Sequence, residues 1–155
     1  MKVIRLSAVA LVVLAASSCG GDDPTVTQKP VEEKVKVIIA GTNDALEPVT
    51  DGGITGEGTF RASGAVTDNG TARGYRWVTG GEATGWLIAL RYVTKGKKGA
   101  ITYVVRIDTT RTPVVSRWTI ESGTKAYKGL HGEGTETEDA RYTVSTLRGT
   151  VWRSP

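Results

Sequence analysis

The chain has 155 residues, of which 39% are hydrophobic and 23% charged, with 20 glycines, a single cysteine and a net charge of +4. Nothing within the chain can pair with that cysteine, so no internal disulfide framework is available. The charge falls to +2 once Lys2 and Arg5 leave with a signal segment, and no basic patch interleaved with aromatics supports nucleic acid as a partner.

Residues 1–18 carry the marks of a secretory signal. Lys2 and Arg5 give a basic start, Ala8 to Ala16 is an apolar run, and Ser17 and Ser18 are small residues before a cut. That run falls short of the roughly 20 apolar residues a membrane-spanning helix needs. The segment Leu14-Ala15-Ala16-Ser17-Ser18-Cys19 resembles a bacterial lipobox, with Ala16 where those proteins prefer Leu. The resemblance implies that Cys19 is lipidated and becomes the new N-terminus. The expected location is the outer face of a bacterial membrane, with the lipid on Cys19 as the membrane contact; the alternative is plain secretion. Lipidation also accounts for a lone cysteine in an exported chain, where cysteines usually pair.

Residues 19–34 read as a flexible tether. Gly20-Gly21-Asp22-Asp23, Pro24, Pro30 and Glu32-Glu33-Lys34 offer almost nothing to bury.

Residues 35–155 have the length of one domain, rich in Gly, Thr and Val and alternating at period two. Eight strands are expected. They are Val35–Ala40, Ile54–Val66, Thr71–Thr79, Gly85–Val93, Ala100–Asp108, Val114–Ile120, about Gly132–Thr137, and Tyr142–Trp152. Asp68-Asn69-Gly70 reads as the hairpin turn between the second and third. Ile101, Tyr103, Val105 and Ile107 alternate most clearly, and Trp86, Ile88, Leu90 and Tyr92 share one face of the fourth strand. A run of adjacent hairpins has two open edges unless it closes. The expected fold is therefore all-β: a single antiparallel β-barrel of about eight strands.

The stretch from Trp118 to Gly132, with Gly123, Thr124, Tyr127 and Gly132, resembles the signature of allene oxide cyclase and dirigent barrels, and uncharacterised exported bacterial proteins with a similar run. Lys125 stands where those families usually have a second glycine. The resemblance covers about Gly99 to Trp152 and implies a barrel whose lumen can hold a small molecule. It carries no catalytic residue to this chain. The glycines suit a compact turn, and Tyr127 is placed to plug one barrel end.

Site chemistry is sparse. Trp77, Trp86, Tyr103, Arg106 and Trp118 are candidate lumen-lining residues, giving either a filled core or an aromatic pocket. Glu57, Arg61, Arg106, Arg117 and Glu121 lie on expected strands, and alternation favours an outward position. His131 is the only histidine and has no companion ligand, so no metal site is expected, and no cofactor is implied. Glu133, Glu136, Glu138 and Asp139 read as a solvated loop. Three function classes stay open: a module binding a small apolar ligand, a structural or interaction lipoprotein with a filled core and an envelope protein partner, and a cyclase- or isomerase-like enzyme.

Overall fold

A computed structural model describes residues 30–42, 52–81 and 85–154. Cys19 and the signal segment lie outside the described residues. Eight strands form a closed antiparallel barrel in simple chain order: β1 (Glu33–Ala40), β2 (Gly53–Gly64), β3 (Asp68–Gly81), β4 (Gly85–Gly96), β5 (Ala100–Asp108), β6 (Val115–Gly123), β7 (Leu130–Glu138) and β8 (Val144–Arg153). β1 pairs with β8 from Glu33↔Val151 to Ala40↔Val144, so the ring closes and neither terminal strand is left as an edge. Among the described residues, strand pairing runs from Glu33 to Arg153.

Period-two alternation sets the two faces. On β1, Val35, Val37 and Ile39 are buried between partly exposed neighbours. On β5 the buried set is Ile101, Tyr103 and Val105. Across the sheets Arg76, Leu90, Val105 and Trp118 are successive lateral partners, and all four point into the barrel. The core fills the middle of the lumen with Val37, Ile39, Phe60, Tyr92, Tyr103, Val105, Trp118 and Leu147. Tyr103 meets Trp118 edge to face, with ring centroids 5.9 Å apart.

One end is closed. A short 3-10 turn, Lys125–Tyr127, joins β6 to β7 and buries Tyr127 over the core. A side chain on Gly123 would put its Cβ 2.1 Å from the Tyr127 carbonyl oxygen, which explains glycine there. Lys125, at the position where the barrel resemblance has glycine, has φ 52, in the left-handed region that glycine favours.

The structure moves one turn. Asp68-Asn69-Gly70 belongs to β3, not to the hairpin, which turns at Ala65–Thr67. The Asp68 carboxylate accepts from the backbone N–H groups of Asn69, Lys97 and Lys98, so this Asp serves the neighbouring β4–β5 turn instead of its own.

Candidate functional site

The other end of the barrel is polar inside. It is formed by the C-terminal ends of β1, β3, β5 and β7 and the N-terminal ends of β2, β4, β6 and β8. Inward residues here are Arg76 on β3, Ser116 on β6, Glu136 and Glu138 on β7, and Ser145 on β8. Glu136 is only 6% exposed. Its Oε2 accepts from the Ser116 hydroxyl at 2.6 Å, while its buried Oε1 has no hydrogen-bond partner among the described residues. Burial pushes the Glu136 carboxyl above its usual range, against the Ser116 and Ser145 hydroxyls.

Glu138 lies one step nearer the mouth. Burial first, and then the charge of Glu136, push its carboxyl up to about 7, while the Ser145 hydroxyl and the Arg76 guanidinium act against them. The Ser145 hydroxyl stands 3.5 Å from Glu138 Oε1 and 2.9 Å from the Tyr92 hydroxyl. Two carboxyls, an arginine and three hydroxyls thus converge above an apolar plug. Both carboxyls hold protons more readily than ordinary ones, and at neutral pH Glu138 is divided between its two forms.

The described part of the rim around this mouth exposes several apolar side chains among polar ones. Among the described residues, five of the six exposed large hydrophobic side chains, Ile54, Trp86, Leu87, Val114 and Tyr142, stand on strand starts or loops at this end.

The candidate lumen residues divide. Tyr103 and Trp118 are fully buried inside. Trp86 has the inward parity of Ile88 and Leu90 but sits at the rim, 42% exposed. Trp77 and Arg106 are corrections: both lie on the outer wall. They are lateral partners of Ala89, and Arg106 is exposed between inward Val105 and Ile107. Trp77 is held there by stacking on Tyr75 at 6.4 Å and by the Arg91 guanidinium at 5.4 Å. An aromatic residue placed outside, next to an inward Arg76, reverses the hydrophobic signal of β3.

The other charged candidates are exposed on the outer wall. Glu57 pairs with Arg73, and Glu121 with Arg91 at 2.6 Å. Arg61 and Arg117 are exposed as well. His131 is exposed and stacks on Trp152 at 6.1 Å. Gly123 ends β6, and just after it Thr124 Oγ1 accepts from the Ala100 N–H at 2.9 Å, while Gly132 is buried on β7 against Val151 and Ile120.

The expected solvated loop is a second correction. Glu133, Glu136 and Glu138 lie on β7, and only Glu133 is exposed. Sequence reasoning missed Arg76, Glu136 and Glu138 as a group. One signal was present: Gly132 and Gly134 precede Glu136 on the same face, and small residues at that spacing mark the crowded inner column of a narrow barrel. Among the described residues no group of three or more His, Cys, Asp or Glu is placed to hold a metal ion.

No family model matches the chain, and no curated protein matches it.

Proposed function

We propose that this chain is an envelope lipoprotein, anchored through Cys19, whose barrel takes a small molecule at its polar mouth. The observation that carries this reading is Glu136, buried on an inner wall with one carboxyl oxygen unpartnered among the described residues. A buried acceptor left without a donor costs on the order of 1–3 kcal/mol, and such a cost is kept where a ligand supplies the donor. The ligand class follows. It is small, because the middle of the lumen is occupied by Trp118, Tyr103 and Tyr92. It carries a hydroxyl or amino donor for Glu136 and an apolar body that rests on the rim beside Trp86. The resemblance to allene oxide cyclase and dirigent barrels, whose lumens accept small molecules, agrees with this use of the fold, although a fold alone does not set a function.

A second reading, acid–base catalysis, is favoured by Glu138. A carboxyl near pH 7, beside an arginine and hydrogen-bonded hydroxyls, has the properties of a proton donor and acceptor at neutral pH. Native mass spectrometry of the protein extracted from its own envelope tests both readings. Binding predicts a co-purifying small molecule that is lost from Glu136→Ala. Its absence across several growth conditions would remove the binding reading. Catalysis further predicts that the wild-type protein converts the captured molecule to an isomer or product while Glu138→Gln does not.

A further inference from the structure

The outer wall carries a feature that the mouth does not use. Arg106 on β5 and Arg117 on β6 are direct cross-strand partners, both exposed on the same outer face. Like charges placed opposite one another on antiparallel strands repel. Two carboxylates on this wall are engaged by other partners. The Asp108 carboxylate, in the same groove, is occupied by Arg111 Nε at 2.9 Å and by the Thr110 hydroxyl. Glu121 is taken by Arg91. Among the described residues neither Arg106 nor Arg117 has an ion-pair partner.

The two guanidinium groups border a groove of about 620 Å³ on the outside of β3 to β6. Its remaining wall is largely apolar: Trp77, Leu87, Ala89 and Val115 among others. The lateral row Trp77–Ala89–Arg106–Arg117 runs from an aromatic ring, across a small residue, to the paired cations. Leu87 is 52% exposed beside that row. Paired guanidiniums match a planar or tetrahedral anion through forked N–H donors. An apolar trough leading away from them matches a hydrocarbon chain.

We infer that this groove is a second binding site, for a single-chain amphiphile with an anionic head. The head sits between Arg106 and Arg117, and the chain lies over Ala89 toward Leu87 and Trp77. The site does not rest on the reading given to the mouth: Trp77, Ala89, Arg106 and Arg117 stand on the outer face, and Leu87, at the far end of the groove, is where it meets the rim.

The test uses the full chain and three probes below their critical micelle concentrations: dodecanoate, dodecyl phosphate and dodecyltrimethylammonium. Binding is followed by isothermal titration and by amide chemical shifts. The expected result is binding of both anions at least tenfold tighter than the cation, with shifts centred on Ala89, Arg106 and Arg117. Preference for one anion over the other identifies the head as carboxylate or phosphate. Arg106→Gln/Arg117→Gln should weaken anion binding at least tenfold and leave the circular dichroism spectrum unchanged, and Leu87→Ser should weaken it severalfold. Glu136→Gln should have no effect. Equal binding of the cationic probe to the wild-type barrel, no anion binding, or shifts confined to the mouth would each overturn the proposal, whatever the arginine variants do.

Discussion

The Tyr127 hydroxyl donates to Asp68 Oδ2 at 2.9 Å, and this bond ties the plug between β6 and β7 to the first residue of β3 across the closed end of the barrel. Burial by itself would raise the Asp68 carboxyl. The Lys98 N–H, the Tyr127 hydroxyl and the Asn69 and Lys97 N–H groups outweigh it and hold the group below its ordinary value. One carboxylate thus gathers the β4–β5 turn and the plug. Tyr127→Phe keeps the ring and removes the bond. Hydrogen bonds to charged groups contribute roughly 1.5–3 kcal/mol, so a loss of that size is expected in urea unfolding. Asp68 is depressed in the folded state, so its contribution is present above the unfolded carboxylate value and is lost as pH falls through the folded one. Tyr127→Phe should therefore also flatten the acid limb of the stability curve; an acid limb identical to wild type would refute the coupling.

Trp118 explains a second glycine position. Its indole Nε1 donates to the Arg148 carbonyl on β8 at 3.2 Å, although Trp118 itself stands on β6. The ring must therefore pass over β7, where its lateral partner is Gly134. A Cβ on Gly134 would lie 2.0 Å from the Arg148 carbonyl oxygen, the same acceptor. Gly134→Ala should destabilise the barrel by about 1–3 kcal/mol through overpacking. Near-ultraviolet circular dichroism should report a displaced tryptophan, and an unaltered tryptophan band would count against this arrangement.

The barrel was legible because β1, β4 and β5 alternate cleanly. The expected span of β5, Ala100–Asp108, is also the observed one. The mouth was not, for a physical reason visible in β3 and β7. The inward column of β7 is Gly132, Gly134, Glu136 and Glu138, which has no apolar residue to reveal its face. In β3 the aromatic residues Tyr75 and Trp77 face outward while Arg76 faces in, so alternation gives the wrong side. Local pattern reports the face that is usually buried, and it fails where a polar group is placed inside. Tyr127 was legible as a plug, but its Asp68 partner was not. Asp-Asn-Gly carries a strong turn signal, and the long-range contact overrides it.

Cys19 lies outside the described residues, and its role is tested directly. Two acyl chains hold a protein stably to a bilayer, whereas one does so only marginally. Cys19→Ser should move the protein from the membrane fraction to the soluble fraction without altering barrel stability. A protein that pellets equally well with serine at this position would not be anchored by this residue.

Glu138 provides the clearest pH signature. Its carboxyl, ordinarily near 4.5, stands at about 7 in the folded barrel, chiefly through burial. The folded state therefore binds more protons than the unfolded chain between those two values. Stability is then greatest below about 4.5, apart from the opposing acid-side loss from Asp68, and declines as pH rises toward 7. The decline is at most about 3 kcal/mol, because a tenfold difference in proton affinity between folded and unfolded chain is worth about 1.4 kcal/mol and the carboxyl is only partly enclosed. Glu136, raised for the same reason, adds to the slope. Glu138→Gln should remove most of the slope between pH 5 and pH 7 and leave the barrel more stable than wild type at pH 7.5. A ligand that donates to these carboxylates should stabilise the wild-type protein most at the alkaline end of that range. Urea midpoints at pH 5, 6, 7 and 8 for both proteins decide the matter. A wild-type curve that is flat or rises across that interval would show that Glu138 titrates as an ordinary surface carboxylate, and the acid–base reading of the mouth would fall with it.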